Sequence, residues 1–189
     1  MFDCHTHDEF GIKLDVRVRL CVEDDLPQLE WFGLFTEHRE IIESAFARQA
    51  RGDNLMLLAE LNRFPIGQVW IDLAKRRYRE CALLWAMRVL PPLQGQGIGS
   101  RLLRSAERVI RARGFPAVEV GAERSNPAAR RFYERQGYRV IGAEQETYSY
   151  TSPWGVPITV RLDEWVLRKT LARPRLQGRA HEALARRRD

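Results

Sequence analysis

At 189 residues the chain has the length of one compact domain, long enough to bury an apolar core without metal or disulfide staples. Its 44% hydrophobic and 30% charged residues exclude general disorder, and no run approaches the roughly 20 uninterrupted apolar residues of a membrane helix. The net charge of +6 is concentrated: from Ala172 onward six arginines stand against Glu182 and Asp189, so the tail holds four of the six net charges and the body is near neutral.

Met1 to Phe10 is acidic and His-containing where a signal peptide would be basic and then apolar, so nothing points to export. Cys4, Cys21 and Cys81 are an odd count at irregular spacing, which suggests reduced thiols and a cytoplasmic protein. Cys4, His5 and His7 could ligate a metal, but their spacing matches no standard zinc arrangement and no metal is expected. Residues 1–12 are a candidate disordered end.

Leu14 to Leu20 alternates apolar and polar residues, the pattern of a strand with one wet face. Glu23-Asp24-Asp25-Leu26-Pro27 predicts a helix start, with Leu26, Leu29 and the Trp31 to Phe35 cluster on its buried side. A second helix is predicted from about Glu37 to Arg51, ended by Gly52. Leu55 to Glu60 and Ile66 to Leu73 read as a hairpin turned by Leu61 to Pro65. Cys81 to Val89 has little alternation, as in a strand covered on both faces, and stops at Pro91-Pro92.

A helix follows from Ile98 to Arg113, with Gly114 as its cap. Ala117 to Ala122 is a further strand, after which Asn126-Pro127 starts a helix that Gly137 closes. Tyr138 to Tyr150 and Asp163 to Leu171 read as the last two strands, separated by the turn-rich Ser152 to Pro157. This is one α/β domain with a mixed sheet over residues 1–171, followed by a basic tail over 172–189.

The segment Gln94-Gly95-Gln96-Gly97-Ile98-Gly99 joins a buried strand to a helix. Glycines there let backbone approach a ligand closely, and free N–H groups with the helix dipole favour an anion such as a pyrophosphate. A P-loop would need Lys-Ser or Lys-Thr after Gly99, where Ser100-Arg101 stands. The GxGxxG fingerprint fails as well, because Ser100 or Leu102 occupies the place of its last glycine. A tight turn holding no ligand stays open on the loop alone.

The spacing of Gln94, Gly97 and Gly99 resembles the Q/R-x-x-G-x-G/A signature of the GNAT superfamily of N-acetyltransferases. Asn126 to Tyr138 resembles that family's second hallmark, an Asn-initiated helix bearing a tyrosine and ending in Gly-Phe or Gly-Tyr. The two motifs come in the family's order with a helix and a strand between them, and together cover Ala82 to Tyr138.

The resemblance implies a mostly antiparallel central sheet flanked by helices, with two central strands splayed apart to admit the arm of acetyl-CoA. Met87, Val89 and Leu90 would face that arm, the N–H groups of Gln94, Gly95, Gln96, Gly97, Ile98, Gly99 and Ser100 would take the pyrophosphate, and Asn126 would cap its helix and contact the arm. The activity implied is acetyl transfer from acetyl-CoA, as cosubstrate, to a primary amine of an unidentified small molecule or protein. An alkyl amine is mostly protonated at neutral pH, so it must lose a proton before attack, while a proton donor helps the leaving thiolate. The resemblance assigns the donor role to Tyr133; on the residues alone, Tyr133 also reads as a core aromatic at helical spacing from Ala129 and Phe132.

Some superfamily members carry a glutamate in the strand before the loop, but the aligned position here is Leu83, which leaves Glu119 and Glu80 as candidate bases. A homodimer is a further implication of the resemblance. Two rival functions remain open at this level: a non-catalytic acyl-CoA-binding regulatory module, and a ribosome- or RNA-associated protein using the arginine-rich tail. Nucleic-acid binding is the lesser reading, because the body is neutral.

Overall fold

The computed structural model describes residues 11 and 13–171. Seven strands form one sheet in the order β1-β2-β3-β4-β5-β7-β6: β1 (Arg17–Leu20), β2 (Asn54–Leu61), β3 (Phe64–Asp72), β4 (Cys81–Val89), β5 (Ala117–Glu123), β6 (Arg139–Thr151) and β7 (Pro157–Thr170). Every neighbouring pair is antiparallel except β4 and β5. Among the described residues three α-helices cover the sheet: α1 (Arg39–Ala50), α2 (Ile98–Ala112) and α3 (Pro127–Arg135). No helix among the described residues is long and apolar enough to cross a membrane.

Alternation along the strands divides the core in two. Leu55, Leu57 and Ala59 of β2 join Val69, Ile71, Leu84 and Val118 under Leu102, Leu103 and Ile110 of α2. The intervening Met56 and Leu58 turn to the other face, where they meet Trp70, Leu29 and Ile42 of α1. A parallel β4–β5 pair needs a crossover, and α2 supplies it.

Several element bounds differ from the sequence-based expectation for local reasons. β1 begins at Arg17 rather than Leu14, because its partner β2 turns away at Asn62 just beyond the Arg17–Glu60 pair. The β2–β3 turn is tighter than Leu61 to Pro65: Asn62 and Arg63 alone make it, both with positive φ (50° and 65°), so Phe64 and Pro65 already lie in β3. The first helix is a 3-10 segment over Glu23–Glu30, since Pro27 has no amide with which to continue an α ladder. The last strand starts at Pro157 rather than Asp163. A compact turn, with the Ser152 amide donating to the Val156 carbonyl at 2.9 Å, lets β7 pair with β6 along its whole length.

The aromatic cluster after the first helix does not act as one unit. Trp31 is buried and donates its indole N–H to the Pro65 carbonyl at 2.7 Å. Phe32 is exposed and stacks on Phe64, while Phe35 is half-buried under the Arg88 guanidinium.

Candidate active site

β4 and β5 pair only from Cys81–Ala117 to Leu84–Val120, although β4 runs on to Val89 and β5 to Glu123. The separation has a local cause on β4. Between the Trp70–Trp85 and Gln68–Arg88 pairs, Ala86 and Met87 both stand opposite Val69, and Ala86 takes a left-handed φ of 48°. This bulge bends β4 away from β5, and its strain is the kind held at functional sites when the surrounding sheet enforces it. A cavity of about 550 Å³ fills the gap, lined by Ala86, Met87 and Arg88 of β4, Gly121 to Glu123 of β5, Tyr133 of α3, His38 at the start of α1 and Ile41 within it, and Tyr148 and Glu164 of the last hairpin.

The glycine loop lies at the end of β4 and opens α2. Gly97 is the N-cap of α2 with φ 78°, and Gly95 has φ 80°; a side chain would find open space at either, so the backbone conformation is what calls for glycine. The Arg101 amide makes the first intrahelical bond, to the Gly97 carbonyl at 3.1 Å. The amides from Gly95 to Ser100 therefore precede the ladder and are free to receive an anion. Two expected contacts change. The Gln94 amide is already given to the Pro91 carbonyl at 3.2 Å, and its side-chain amide donates to the Val89 carbonyl at 3.0 Å, so Gln94 shapes the loop. Leu90 is likewise engaged: its amide donates to Ile66 and its carbonyl accepts from Leu93, both at 2.8 Å, so its backbone faces β3 and the turn.

Met87 lines the gap, whereas Val89 pairs with Gly67 and packs beside Gly99. Asn126 caps α3, its Oδ1 accepting from the Ala129 amide at 3.0 Å, and also lines the cavity. Tyr133 is only 6% exposed. Its hydroxyl donates to the Met87 thioether sulfur at 3.6 Å, the single partner among the described residues. A thioether is a weak acceptor, so that bond is easily exchanged for a stronger one. Burial, with a smaller contribution from the Glu164 charge, raises the Tyr133 pKa, so the phenol stays protonated across the neutral range. Tyr138, by contrast, is core: it is buried and donates to Glu107 at 3.1 Å.

Glu119 occupies a different setting from the one a base requires. Its side chain is fully buried, with Arg76 Nη1 at 2.7 Å, Arg168 Nη1 at 2.9 Å and Arg79 Nη2 at 3.1 Å. Arg76 lines the cavity and Glu119 does not, and three guanidinium groups already occupy the carboxylate. Glu119 is an ion-pair centre under the cavity floor. Glu80 is exposed at the beginning of β4, the end away from the splay.

Of the four carboxylates that line the cavity, Asp72, Glu123, Glu146 and Glu164, the one both half-buried and without a cation among the described residues is Glu164, which the sequence reading missed. It lies on β7 directly across from Glu123 of β5 on one side and Glu144 of β6 on the other. Among the described residues it has no hydrogen bond or ion pair, whereas Glu144 is held by Arg76. Burial and then the Glu123 charge raise the Glu164 pKa above the ordinary carboxylate range. Gly121 makes room for it: a Cβ there would stand 2.3 Å from Glu164 Oε2. No spacing motif marks Glu164. The one signal was its place in the Leu162-Asp163-Glu164-Trp165-Val166 stretch, where strand alternation turns a carboxylate inward beside apolar neighbours.

The donor set thus fits an acyl-CoA: open amides for an anion at a helix start, a breach between parallel strands for an extended arm, and a buried phenol at its side. Residues 23–138 match the model of the acetyltransferase (GNAT) family. A 51-residue stretch is 45% identical to an aminoalkylphosphonate N-acetyltransferase of Salmonella typhimurium strain LT2, a match covering 27% of this chain and about a third (33%) of that protein's length. The fold is similar to a ribosomal-protein-alanine N-acetyltransferase from Brucella melitensis (21% identity, TM-score 0.64, 82% of this chain and 99% of that one). It is also similar to a putative acetyltransferase from Salmonella typhimurium solved with its cofactor acetyl-CoA (20% identity, TM-score 0.63, 84% and 95%). With the family match spanning well over half of its length, this chain belongs to the GNAT family of acetyltransferases, whose cosubstrate is acetyl-CoA.

Proposed function

We propose that the protein moves an acetyl group from acetyl-CoA to a primary amine held in the cavity between β4, α1 and the β6–β7 hairpin, with Tyr133 as proton donor and Glu164 as proton acceptor. One observation carries the reading: a protonated phenol and an unpaired carboxylate of raised pKa line the same cavity, where the pairing of β4 and β5 stops. The amides of Gly95 to Ser100 hold the pyrophosphate, and Met87 and Asn126 border the arm. The bound thioester supplies the electrophilic carbonyl.

The amine sheds its ammonium proton to water and attacks as the neutral form, and Glu164 takes the second proton, which the nitrogen loses as its bond to the acetyl carbon forms. A carboxylate with a raised pKa is a better base for an ammonium than an ordinary one. Tyr133 gives its proton to the sulfur as the carbon–sulfur bond breaks. The proton gained by Glu164 then passes through solvent in the cavity to the Tyr133 phenolate, which closes the cycle. Glu119 and Glu80 have no part in this scheme.

The test begins with a titration of acetyl-CoA, followed by an amine panel in which released CoA is detected. Tyr133→Phe should lower kcat by about 100-fold while the affinity for acetyl-CoA changes little. Near-full turnover in that variant would remove the donor role, and failure to bind any acyl-CoA would sink the proposal as a whole.

A further inference from the structure

Four cationic side chains line the cavity, and three of them are already neutralised. Arg48 is paired with Asp72 at 2.6 Å, Arg76 with Glu119 at 2.7 Å, and Lys75 with Glu146. Arg88 differs. It is half-buried, its guanidinium carbon sits 4.0 Å over the Phe35 ring, and among the described residues none of its N–H groups meets an acceptor and no carboxylate pairs with it. A guanidinium taken partly out of water without a counter-charge is costly, and a ring face repays only part of that cost. Next to it lies a second unsatisfied group: Nδ1 of His38, which also lines the cavity, is buried and has no partner among the described residues. The Arg88 charge is one cause, after burial, that holds the His38 pKa below its ordinary value, so this imidazole is neutral at pH 7 and can donate one N–H.

The bulge at Ala86 and Met87 explains why Arg88 is there. It shifts β4 so that Arg88 stands across from Gln68, on the α1 side of the sheet and beyond the splay. On the far side of the same cavity, β7 presents Glu164 without a cation. One cavity therefore offers an unpaired positive group at one wall and an unpaired negative group at the other.

Resting on the acetyl-transfer reading above, we infer that the acceptor is a small zwitterionic amine, its amino group at Glu164 and an anionic group, carboxylate or phosphate-like, bound by Arg88 with His38. The cavity size agrees. About 550 Å³ shared between the acyl arm and the acceptor leaves room for a metabolite-sized molecule. The planar fork of Arg88 suits two oxygens of one anion, which lysine would bind only as a point charge.

The experiment uses the full chain, saturating acetyl-CoA and released CoA as the readout, with propylamine, β-alanine, 2-aminoethyl phosphate, 1,3-diaminopropane and an alanyl peptide amide as acceptors. The anion-bearing amines should show kcat/KM about tenfold or more above propylamine, chiefly through KM. The ratio of β-alanine to 2-aminoethyl phosphate tells which anion is preferred. Arg88→Gln should erase most of that advantage and Arg88→Lys should recover part of it, with thermal melts confirming that both variants fold. A preference for the diamine or the peptide amide overturns the inference, as does an anion advantage that survives in Arg88→Gln; the wild-type ranking decides even if a variant fails to fold. Binding of acetyl-CoA with no turnover of any amine ends the underlying reading, a result distinct from turnover without an anion preference, which ends this inference alone.

Discussion

Replacing Glu119 with glutamine removes the negative charge that three guanidinium groups share in the sheet interior. The carboxamide keeps one acceptor oxygen, but it turns an NH2 toward a guanidinium, so at least one donor faces a donor. Removing one partner of a buried ion pair typically costs about 3–5 kcal/mol. Here the lower end applies. Arg79 and Arg168 are 30% and 31% exposed and can turn to water, and Arg76, though buried, keeps Glu144. A loss of about 3 kcal/mol is expected, a large share of the roughly 5–15 kcal/mol that holds a domain of ordinary stability. Urea denaturation of wild type and variant reads the loss directly. Steady-state rates, taken at a temperature where both remain folded, should keep the same acidic pH limb. The reasoning is refuted if stability falls by less than about 1 kcal/mol while kcat/KM drops about 100-fold or more, because that pattern belongs to a base.

Two further predictions concern Glu164. Its raised pKa means the base form is present only above that pKa, so kcat/KM should fall as pH drops through a value above the ordinary carboxylate figure of about 4.3, and Glu164→Gln should abolish both this limb and most of the rate. A carboxyl whose folded pKa exceeds its unfolded one weakens the fold once pH has risen through the folded value, so the same variant should be as stable as wild type at pH 7 or more so, and a lower melting temperature would contradict the assignment. Gly121→Ala sets a Cβ 2.3 Å from Glu164 Oε2 and 2.6 Å from its Cδ, which the flexible carboxyl end can escape only by swinging away. The melting temperature should barely move while kcat/KM falls about tenfold or more; unchanged kinetics would show that Glu164 need not stand where it does.

The glycine loop and the Asn126 helix were legible in the sequence because their chemistry is local. Positive φ at Gly95 and Gly97, open amides before a helix, and an asparagine reaching the amide three residues on all depend on neighbours in the chain. The place of Tyr133 on that helix was legible for the same reason. Element order was read well wherever a glycine or proline ended a periodic run, and less well where a turn was compact, so β7 was begun six residues late despite the alternation of Ile158 to Leu162.

The acid–base assignments belong to tertiary structure. Glu119 and Glu164 are both inward carboxylates on inner strands, and nothing within either stretch tells them apart. What separates them is which side chains the sheet order brings across: arginines from the β3–β4 connection and β7 close over Glu119, while Gly121 and two other glutamates surround Glu164 and leave it without a cation. Arg88 follows the same rule. One extra residue in β4 sets the wall on which it stands, and its lack of a partner is visible only once Asp72, Glu119 and Glu146 have been matched to other cations. Sequence alone determined where open amides stand at a helix start, since that is written in backbone conformation; which inward carboxylate is left without a cation was decided by long-range pairing, because a side chain's charge state is set by what the fold packs against it.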